Sequence, residues 1–313
     1  MSAIEAQHLS KTFSSGNGRR RRAVRAVDDI TFGVDRGERL AYIGPNGAGK
    51  STSIKMLTGI LHPSSGDAQV LGFRPWTQRG HLARRIGTLF GQRSQLWFEL
   101  TPRQSFGLLA KVYRLGDHDA RRTVCDLGEV LDAASLFDVP VRQLSLGERM
   151  RCELAASLLH EPEVLFLDEP TIGLDLVAKQ RFREIVVRLN EDKATTIFLT
   201  SHDVSDIERL ARRVVVINHG RIIYDDKVST LRRSFLRTKL LEVRFDEPPR
   251  SLKLRGAEVL RDSGAGYKLV VDTEERSIRA VLDDLLDNFR VADISVLDPP
   301  LEDVISKIYE RRP

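Results

Sequence analysis

The chain has 313 residues, of which 41% are hydrophobic and 30% charged, and this ordinary globular composition excludes a fibrous or largely disordered protein. No stretch approaches the roughly 18 consecutive apolar residues of a membrane helix, and the first residues lack the apolar core of a secretion signal, so we expect a chain that neither spans a membrane nor is secreted. The net charge of +5 is a mild excess of basic residues without a recognition motif, so we expect no specific nucleic-acid partner.

The predicted elements begin with strands. Apolar runs give three of them, at residues 4–9, 26–34 and 39–43. From about residue 92 to 160 the apolar spacing is helical, which predicts a helical lobe (about 92–160) inserted into the fold. Short apolar runs then return between helical segments, at residues 164–167, 196–200 and 214–217. This alternation indicates an α/β fold around a mostly parallel, buried sheet.

The pattern changes after residue 235. We expect a first domain at residues 1–235 and a small C-terminal α+β domain at residues 239–313. Four short strands are predicted in the second domain, at residues 240–245, 258–261, 267–271 and 291–296. Two amphipathic helices, near 278–289 and 301–309, should cover this small sheet.

A glycine-rich loop follows the third strand and fits the pattern G-x-x-x-x-G-K-[ST]. Its residues are Gly44, Pro45, Asn46, Gly47, Ala48, Gly49, Lys50, Ser51 and Thr52. Glycines allow backbone N–H groups to curl around phosphates, and the helix that follows adds partial positive charge. Lys50 can reach the terminal phosphates of a nucleotide, and the Ser51 hydroxyl can bind Mg²⁺. The loop therefore predicts a nucleotide site.

Two adjacent carboxylates end the apolar run at residues 164–167, namely Asp168 and Glu169. A buried strand tolerates two carboxylates at its end only if they serve a site there. Because side chains alternate along a strand, Asp168 can face Mg²⁺ while Glu169 lies nearer the attacking water as a general base.

Between these two motifs, residues 144–148 read Leu-Ser-Leu-Gly-Glu and open a helix. The segment resembles the signature motif of ATP-binding cassettes, the ABC family of P-loop NTPases, and the resemblance covers roughly residues 4–235. It implies that Ser145, Gly147 and Glu148 face ATP. By the same resemblance, Phe13 stacks on adenine and Asp175 belongs to the loop after the catalytic glutamate.

The resemblance also assigns the remaining catalytic positions. It implies that Gln92 joins Ser51 and Asp168 around Mg²⁺, and that His202 contacts the γ-phosphate. Lys50, Glu169 and His202 are then the catalytic residues. His202 follows an apolar strand, at the end of the sheet where α/β sites assemble.

Four positions depart from the common family pattern. Leu146 and Glu148 replace the usual Gly and Gln of the signature, and Ile172 stands where Ser is frequent. Gln92 comes one residue later than in many cassettes, which leaves Gln95 as a second candidate for its role. The helix dipole favours a Glu at the start of a helix, whereas a nearby phosphate repels its carboxylate. We therefore expect Glu148 to turn outward only partly.

The function that this resemblance implies is that of an ATPase subunit of a membrane transporter. ATP would be held between the phosphate loop of one cassette and the signature motif of another, in a head-to-tail dimer that drives integral membrane permease subunits. The segment at residues 90–97 resembles a bacterial subgroup that works beside drug-exporter-type permeases, which favours export. The chain would lie on the cytoplasmic face of the cell membrane. The alternative is a soluble cassette that acts on ribosomes or DNA.

Overall fold

A computed structural model of the chain describes residues 2–15, 22–90, 94–201, 203–235, 238–247, 249, 252, 254–264, 266–297 and 308. The chain divides into two compact units, Met1–Asp226 and Lys227–Pro313. Over the residues that are described, no helix has the length and apolar character needed to cross a membrane.

The described residues of the first unit form nine strands, six of which belong to one sheet. They are β1 (Ser2–Ser15), β2 (Arg22–Asp35), β3 (Arg39–Ile43), β4 (Ser65–Val70), β5 (Ile86–Phe90), β6 (Val164–Asp168), β7 (Thr196–Thr200), β8 (Arg213–Asn218) and β9 (Arg221–Lys227). The large sheet has the order β5-β6-β7-β3-β8-β9. Its pairs β5/β6, β6/β7, β7/β3 and β3/β8 are parallel, which confirms the predicted parallel core. Every residue of β3 and β7 is buried, as expected of strands covered on both faces.

A second sheet of three antiparallel strands, in the order β2-β1-β4, packs in the same unit. The sequence predicts the cores of β1 and β2, whereas β4 was not predicted. Its residues Ser-Gly-Asp-Ala-Gln-Val carry little apolar pattern, and its pairing with β1 brings it into the sheet. Side chains of both sheets form one apolar core that includes Ile4, Ile30, Tyr42 and Phe198.

The helices of the first unit lie between and after the strands. They are α1 (Lys50–Leu57), α2 (Arg79–Leu82), α3 (Pro102–Tyr113), α4 (Asp117–Val130), α5 (Leu146–Leu158), α6 (Leu176–Lys193) and α7 (Val204–Leu210). Helices α3, α4 and α5 occupy the segment for which a helical lobe is predicted, and Phe106 packs edge-on against Phe137 at 4.9 Å among them.

In the second unit, the described residues form a four-stranded antiparallel sheet and two helices. Helix α8 (Val228–Phe235) comes first, followed by β10 (Thr238–Phe245), β11 (Ala257–Asp262), β12 (Gly266–Asp272), α9 (Ile278–Asn288) and β13 (Val291–Leu297). The strand order is β11-β12-β10-β13. Apolar residues of α9 pack on the sheet, as the predicted amphipathic pattern requires. The predicted last helix, near 301–309, falls outside the described residues apart from Ile308.

A buried carboxylate joins the loops that follow β6 and β7. Asp206 is fully buried and accepts hydrogen bonds from Arg183 Nε at 2.6 Å, Thr171 Oγ1 at 2.5 Å and Ser201 Oγ at 2.9 Å. Arg183, on α6, is itself only 5% exposed. A buried ion pair is tolerated when further hydrogen bonds satisfy it, and here two hydroxyls do so. The network therefore fixes Thr171 and Ser201 relative to α6.

We predict that Asp206→Ala lowers the free energy of unfolding by about 3–5 kcal/mol, because it leaves the buried Arg183 cation without its main partner. The loss should fall at the lower end, since Arg183 Nη2 also lies 3.4 Å from Asp203 Oδ2. Urea denaturation of the full chain measures the effect. As a matched control, Asp138→Ala removes an exposed Arg103–Asp138 pair and should cost about 0–1 kcal/mol. Equal losses in the two variants would contradict the prediction.

Candidate active site

The glycine-rich loop joins β3 to α1 and folds around the Lys50 side chain. Lys50 Nζ donates to the carbonyl oxygen of Gly44 at 2.7 Å and lies 3.7 Å from Glu169 Oε1. The lysine is 7% exposed. Its ammonium group is therefore held at the carboxyl edge of the sheet, between the loop and the end of β6.

The loop borders a cavity of about 490 Å³. Its lining consists of Ala26, Pro45, Asn46, Gly47, Ala48, Gly49, Lys50, Ser51, Thr52, Glu169 and Ile172. Gly49 has a φ of 110°, and a Cβ there would lie 2.4 Å from the carbonyl oxygen of Ala26. Only glycine fits this conformation and this approach. The loop thus opens the N-terminus of α1 toward the cavity without side-chain capping.

Asp168 and Glu169 meet the loop from the end of β6. Thr200 Oγ1, on the neighbouring strand β7, donates to Asp168 Oδ1 at 2.6 Å, and Ser51 Oγ donates to the same oxygen at 3.4 Å. Glu169 has a φ of 52°, a left-handed conformation that is unusual for a residue other than glycine. Its N–H donates to Thr200 Oγ1 and to the Thr200 carbonyl oxygen, each at 3.1 Å. These contacts hold the strained turn that directs Glu169 toward Lys50.

The donors around Ser51 fit a magnesium ion. Ser51 Oγ and Asp168 Oδ1 are hard oxygen ligands 3.4 Å apart, and Mg²⁺ in nucleotide sites is bound by one or two protein oxygens together with phosphates and waters. Within the described ranges, no group of three or more His, Cys, Asp and Glu side chains could hold a metal by itself. The residues thus suit a metal that arrives with a phosphate ligand.

The signature residues line a separate pocket of about 170 Å³, at the N-terminus of α5. Ser145, Gly147, Glu148 and Asp175 all border it, and none of them borders the cavity at the phosphate loop. Asp175 caps α6 by accepting a hydrogen bond from the Ala178 N–H at 2.8 Å. Apart from Phe13 and Gln92, the residues predicted to bind ATP therefore fall into two groups within one chain.

Glu148 folds back over the start of its own helix. Glu148 Oε2 accepts hydrogen bonds from Ser145 N at 2.9 Å and Ser145 Oγ at 2.8 Å, which completes a capping box at the N-terminus of α5. These hydrogen bonds lower the pKa of the Glu148 carboxyl below its ordinary value. The carboxylate is thus directed to Ser145, and neither Arg149 nor Arg151 is its principal partner.

Of the remaining predicted positions, Phe13 is described and lines neither pocket. Phe13, on β1, is 40% exposed, and Lys11 Nζ lies 5.3 Å from its ring centroid. Gln92 and His202 lie outside the described residues. Gln95, the second candidate for the role of Gln92, donates its side-chain amide to the carbonyl oxygen of Thr88 at 2.6 Å.

Thr200 is a site residue that the sequence reasoning missed. Its hydroxyl contacts both Asp168 Oδ1 and the Glu169 N–H, so it positions the two carboxylates. The signal was available, because Thr200 ends a buried strand next to the one that carries Asp168. The buried hub at Asp206 was also missed, since no local pattern links it to Thr171 and Ser201.

Comparison with known proteins identifies the family of the chain. The family described as "ABC transporter" matches residues 27–172. The ABC transporter ATP-binding protein NatA of Bacillus subtilis (strain 168) is 31% identical over 215 residues, which cover 69% of this chain and 87% of NatA. The daunorubicin/doxorubicin resistance ATP-binding protein DrrA of Streptomyces peucetius is 32% identical over 282 residues, which cover 90% of this chain and 81% of DrrA.

Solved structures agree on the fold. A dimeric ATP-binding cassette in a post-hydrolysis state, bound to ADP and Pi, superposes with a TM-score of 0.64 at 22% identity, covering 72% of this chain and 98% of that one. The phosphate loop, the paired carboxylates and the signature helix of this chain thus lie on the fold of an ATP-binding cassette. The chain belongs to the ABC transporter family, as an ATP-binding cassette with ATPase activity.

Proposed function

We propose that the chain is the ATP-hydrolysing subunit of a membrane exporter and drives a separate permease. One observation carries the proposal: a single cavity brings together the phosphate loop, Lys50 and Glu169, with Ser51 next to Asp168 at its edge. This arrangement suits phosphoryl transfer to water, which depends mainly on positioning and charge stabilisation.

The phosphates would be held by Lys50 and by backbone N–H groups of the loop at residues 46–52. To bind a terminal phosphate, the Lys50 ammonium group would exchange its present acceptor, the Gly44 carbonyl oxygen, for phosphate oxygens. Ser51 and Asp168 would hold Mg²⁺ together with Gln92, and the metal, when bound, supplies positive charge to the phosphate oxygens. Phe13 would stack on the adenine, where its exposed ring offers an apolar face.

Glu169 would act as the general base toward the attacking water. The Glu169 side chain is 18% exposed and lies beside Lys50 in the cavity. Its carboxylate can therefore accept a proton from a water in line with the γ-phosphate. His202 would contact the γ-phosphate from the segment after β7. Thr200 keeps the Glu169 backbone in its strained conformation.

A second cassette would complete each site. The pocket at Ser145, Gly147 and Asp175 is separate from the phosphate cavity of the same chain. It lies at the N-terminus of α5, where the positive end of the helix dipole and the first N–H groups of the helix suit an anion. A head-to-tail dimer would bring the signature pocket of one chain over the phosphate loop of the other. ATP would then close the pair, and hydrolysis would open it.

Export and a permease partner are supported by the relatives. DrrA is named as a drug resistance protein, and a Burkholderia thailandensis protein that is 37% identical over 226 residues is named as a Nod factor export ATP-binding protein. By analogy, the chain would act at the cytoplasmic face of a membrane, bound to integral membrane permease subunits. The relatives named here are transport proteins, so the alternative of a cassette that acts on ribosomes or DNA is not favoured. Purification of the full chain from washed membranes should recover a polytopic partner, whereas co-sedimentation with ribosomes would contradict the proposal.

We predict that Glu169→Gln retains ATP binding but lowers kcat about 10²–10⁴-fold, because it removes the general base. Lys50→Ala, in contrast, should lose nucleotide affinity, because it removes the cation at the phosphates. Steady-state hydrolysis and a fluorescent-ATP titration separate the two effects. A Glu169→Gln chain with normal turnover, or a Lys50→Ala chain with normal affinity, would refute the role of that residue.

The dimer predicts complementation between two inactive variants. Lys50→Ala damages the phosphate loop and Ser145→Arg damages the signature pocket, so each homodimer has two damaged sites. In a mixed dimer one site carries both changes and the other is intact, and ATPase activity should partly return on mixing. A mixture that stays as inactive as either parent would count against the head-to-tail arrangement.

We predict that Glu148→Gln slows dissociation of the ATP-bound dimer at low salt. Glutamine also serves in a capping box, so the variant keeps the cap of α5 and removes a negative charge beside Ser145. Dimer dissociation is measured in the Glu169→Gln background, and the difference should shrink as salt rises, since charge repulsion is screened. No difference at low salt would mean that the charge is electrostatically silent.

Glu148→Ala is the matched control, because it removes the charge and the Glu148 half of the capping box, whereas the N–H of residue 148 can still donate to Ser145 Oγ. Loss of the hydrogen bond from the Ser145 N–H to the Glu148 carboxylate should destabilise the helix by about 0.5–1.5 kcal/mol. The lowered pKa sets a pH dependence: any stability that the Glu148 charge contributes is complete above its ordinary value of 4.5 and is lost as the pH falls through the lower folded-state pKa. The stability difference between wild type and Glu148→Gln should therefore shrink below pH 4.5.

A further inference from the structure

A second buried carboxylate lies on the signature helix. Glu153 is 3% exposed, and the residues next to it in the chain, Cys152, Leu154 and Ala155, belong to the apolar core. Burying a carboxyl group among apolar side chains is unfavourable unless hydrogen bonds compensate it. Such a residue therefore requires an explanation from its partners.

Both oxygens of Glu153 are used, and both contact one short segment. Oε1 accepts a hydrogen bond from Ser94 Oγ, and Oε2 accepts one from Gln95 N at 2.9 Å. Burial raises the pKa of the Glu153 carboxyl, and the hydrogen bonds from Ser94 and Gln95 oppose that shift. The carboxyl group thus binds the chain at 94–95 to the middle of α5.

The same segment is fixed on its other side to the central sheet. The Gln95 side chain donates to the carbonyl oxygen of Thr88 on β5, and Leu96 is 4% exposed in the core. Strand β5 ends at Phe90, whose register partner on β6 is Asp168. The contacts therefore run from the edge that carries Asp168, through residues 94–96, to Glu153.

Helix α5 carries this connection to the signature pocket. Ser145 caps the helix, Gly147 lies in its first turn, and Glu153 follows about two turns from the start. A rigid helix transmits the position of one turn to another. One carboxyl group thus connects the segment after β5 with the helix end that would face the ATP of a partner cassette.

We propose that Glu153 is a positioning residue for ATP hydrolysis, which holds residues 94–96 on α5 and so fixes the signature end relative to the Asp168 edge of the sheet. The inference rests on the proposed function but assigns a role to a side chain outside both pockets. Glu153 contacts neither nucleotide nor water in this role. It acts through the segment that it holds.

The test is a double-mutant cycle between Glu153 and Ser94 in the full chain. Glu153→Ala should lower kcat about 10–100-fold, because misplacement of a site segment impairs the chemical step, while KM for ATP and the affinity for fluorescent ATP stay near wild type. Ser94→Ala removes the hydroxyl that contacts Glu153, together with its hydrogen bonds to the Leu96 backbone, and should lower kcat in the same direction. The double variant should be no slower than Glu153→Ala, since each substitution alone already breaks the hydrogen bond between Ser94 and Glu153.

Two further variants separate positioning from stability. Glu153→Gln keeps an acceptor oxygen and should restore kcat toward wild type. Glu161→Ala, in the exposed loop that follows the same helix, removes an ion pair with Lys193 and should leave kcat unchanged. All rates are referred to the folded fraction, which is measured by thermal denaturation.

Each outcome bears on the proposal. It is overturned if kcat falls only in proportion to the folded fraction, if KM rises while kcat is unchanged, or if the two single effects multiply in the double variant. If Glu153→Ala does not fold, Ser94→Ala carries the test, and an unchanged kcat in that variant overturns the role. The kcat values of wild type and Glu169→Gln are measured in parallel. A wild type that hydrolyses ATP as slowly as Glu169→Gln would refute the proposed function. An active wild type whose Ser94 and Glu153 variants keep the same kcat would refute only this inference.

Discussion

The parallel pairing of β6 with β7, which sets Asp168 opposite Thr200, is the constraint on which the site depends. Because parallel strands end at the same edge of a sheet, the segments that leave β3, β6 and β7 emerge together. The hydroxyl of Thr200 donates to Asp168 and accepts from the Glu169 N–H, so one side chain orients both carboxylates. A shift of this register by one residue would turn Asp168 to the other face of the sheet and away from Ser51.

The strand ends alone would leave the following loops free to move, and a buried ion pair prevents this. Asp206 and Arg183 come from α7 and α6, and the carboxylate also accepts from Thr171, two residues after Glu169, and from Ser201, next to Thr200. Removing charges from water is costly, so such a pair is weak evidence for stability by itself. Its value here is geometric, because preorganised groups need no rearrangement during reaction.

The sequence was sufficient for the parallel core and for the phosphate loop, because each depends on local pattern: apolar strands, glycines and a lysine at fixed spacing. It was insufficient for β4 and β5, which were not predicted as strands. In β5, Gly87 weakens the strand signal, yet a Cβ there would lie 2.5 Å from the Ser157 carbonyl oxygen, so close packing of α5 requires glycine. Packing between elements distant in sequence decides such positions. For the same reason Asp206 was not recognised, whereas Thr200 could have been identified from its place at the end of the neighbouring strand. The roles assigned to the site residues, including Gln92 and His202, stay predictions.

The capping box on α5 has a consequence for how this signature helix could bind an anion. Of the N–H groups at the start of the helix, that of Ser145 donates to Glu148, and that of Glu148 donates to Ser145 Oγ. The Ser145 hydroxyl is likewise directed to the Glu148 carboxylate. The N–H groups of the first two helical positions, Leu146 and Gly147, have no acceptor within a helix and are the donors left for a phosphate. The negative charge on Glu148 also offsets part of the positive end of the helix dipole. A phosphate would therefore meet a helix end whose serine and dipole are already partly satisfied by the chain itself. Closure of the proposed dimer around ATP would have to compete with this internal cap.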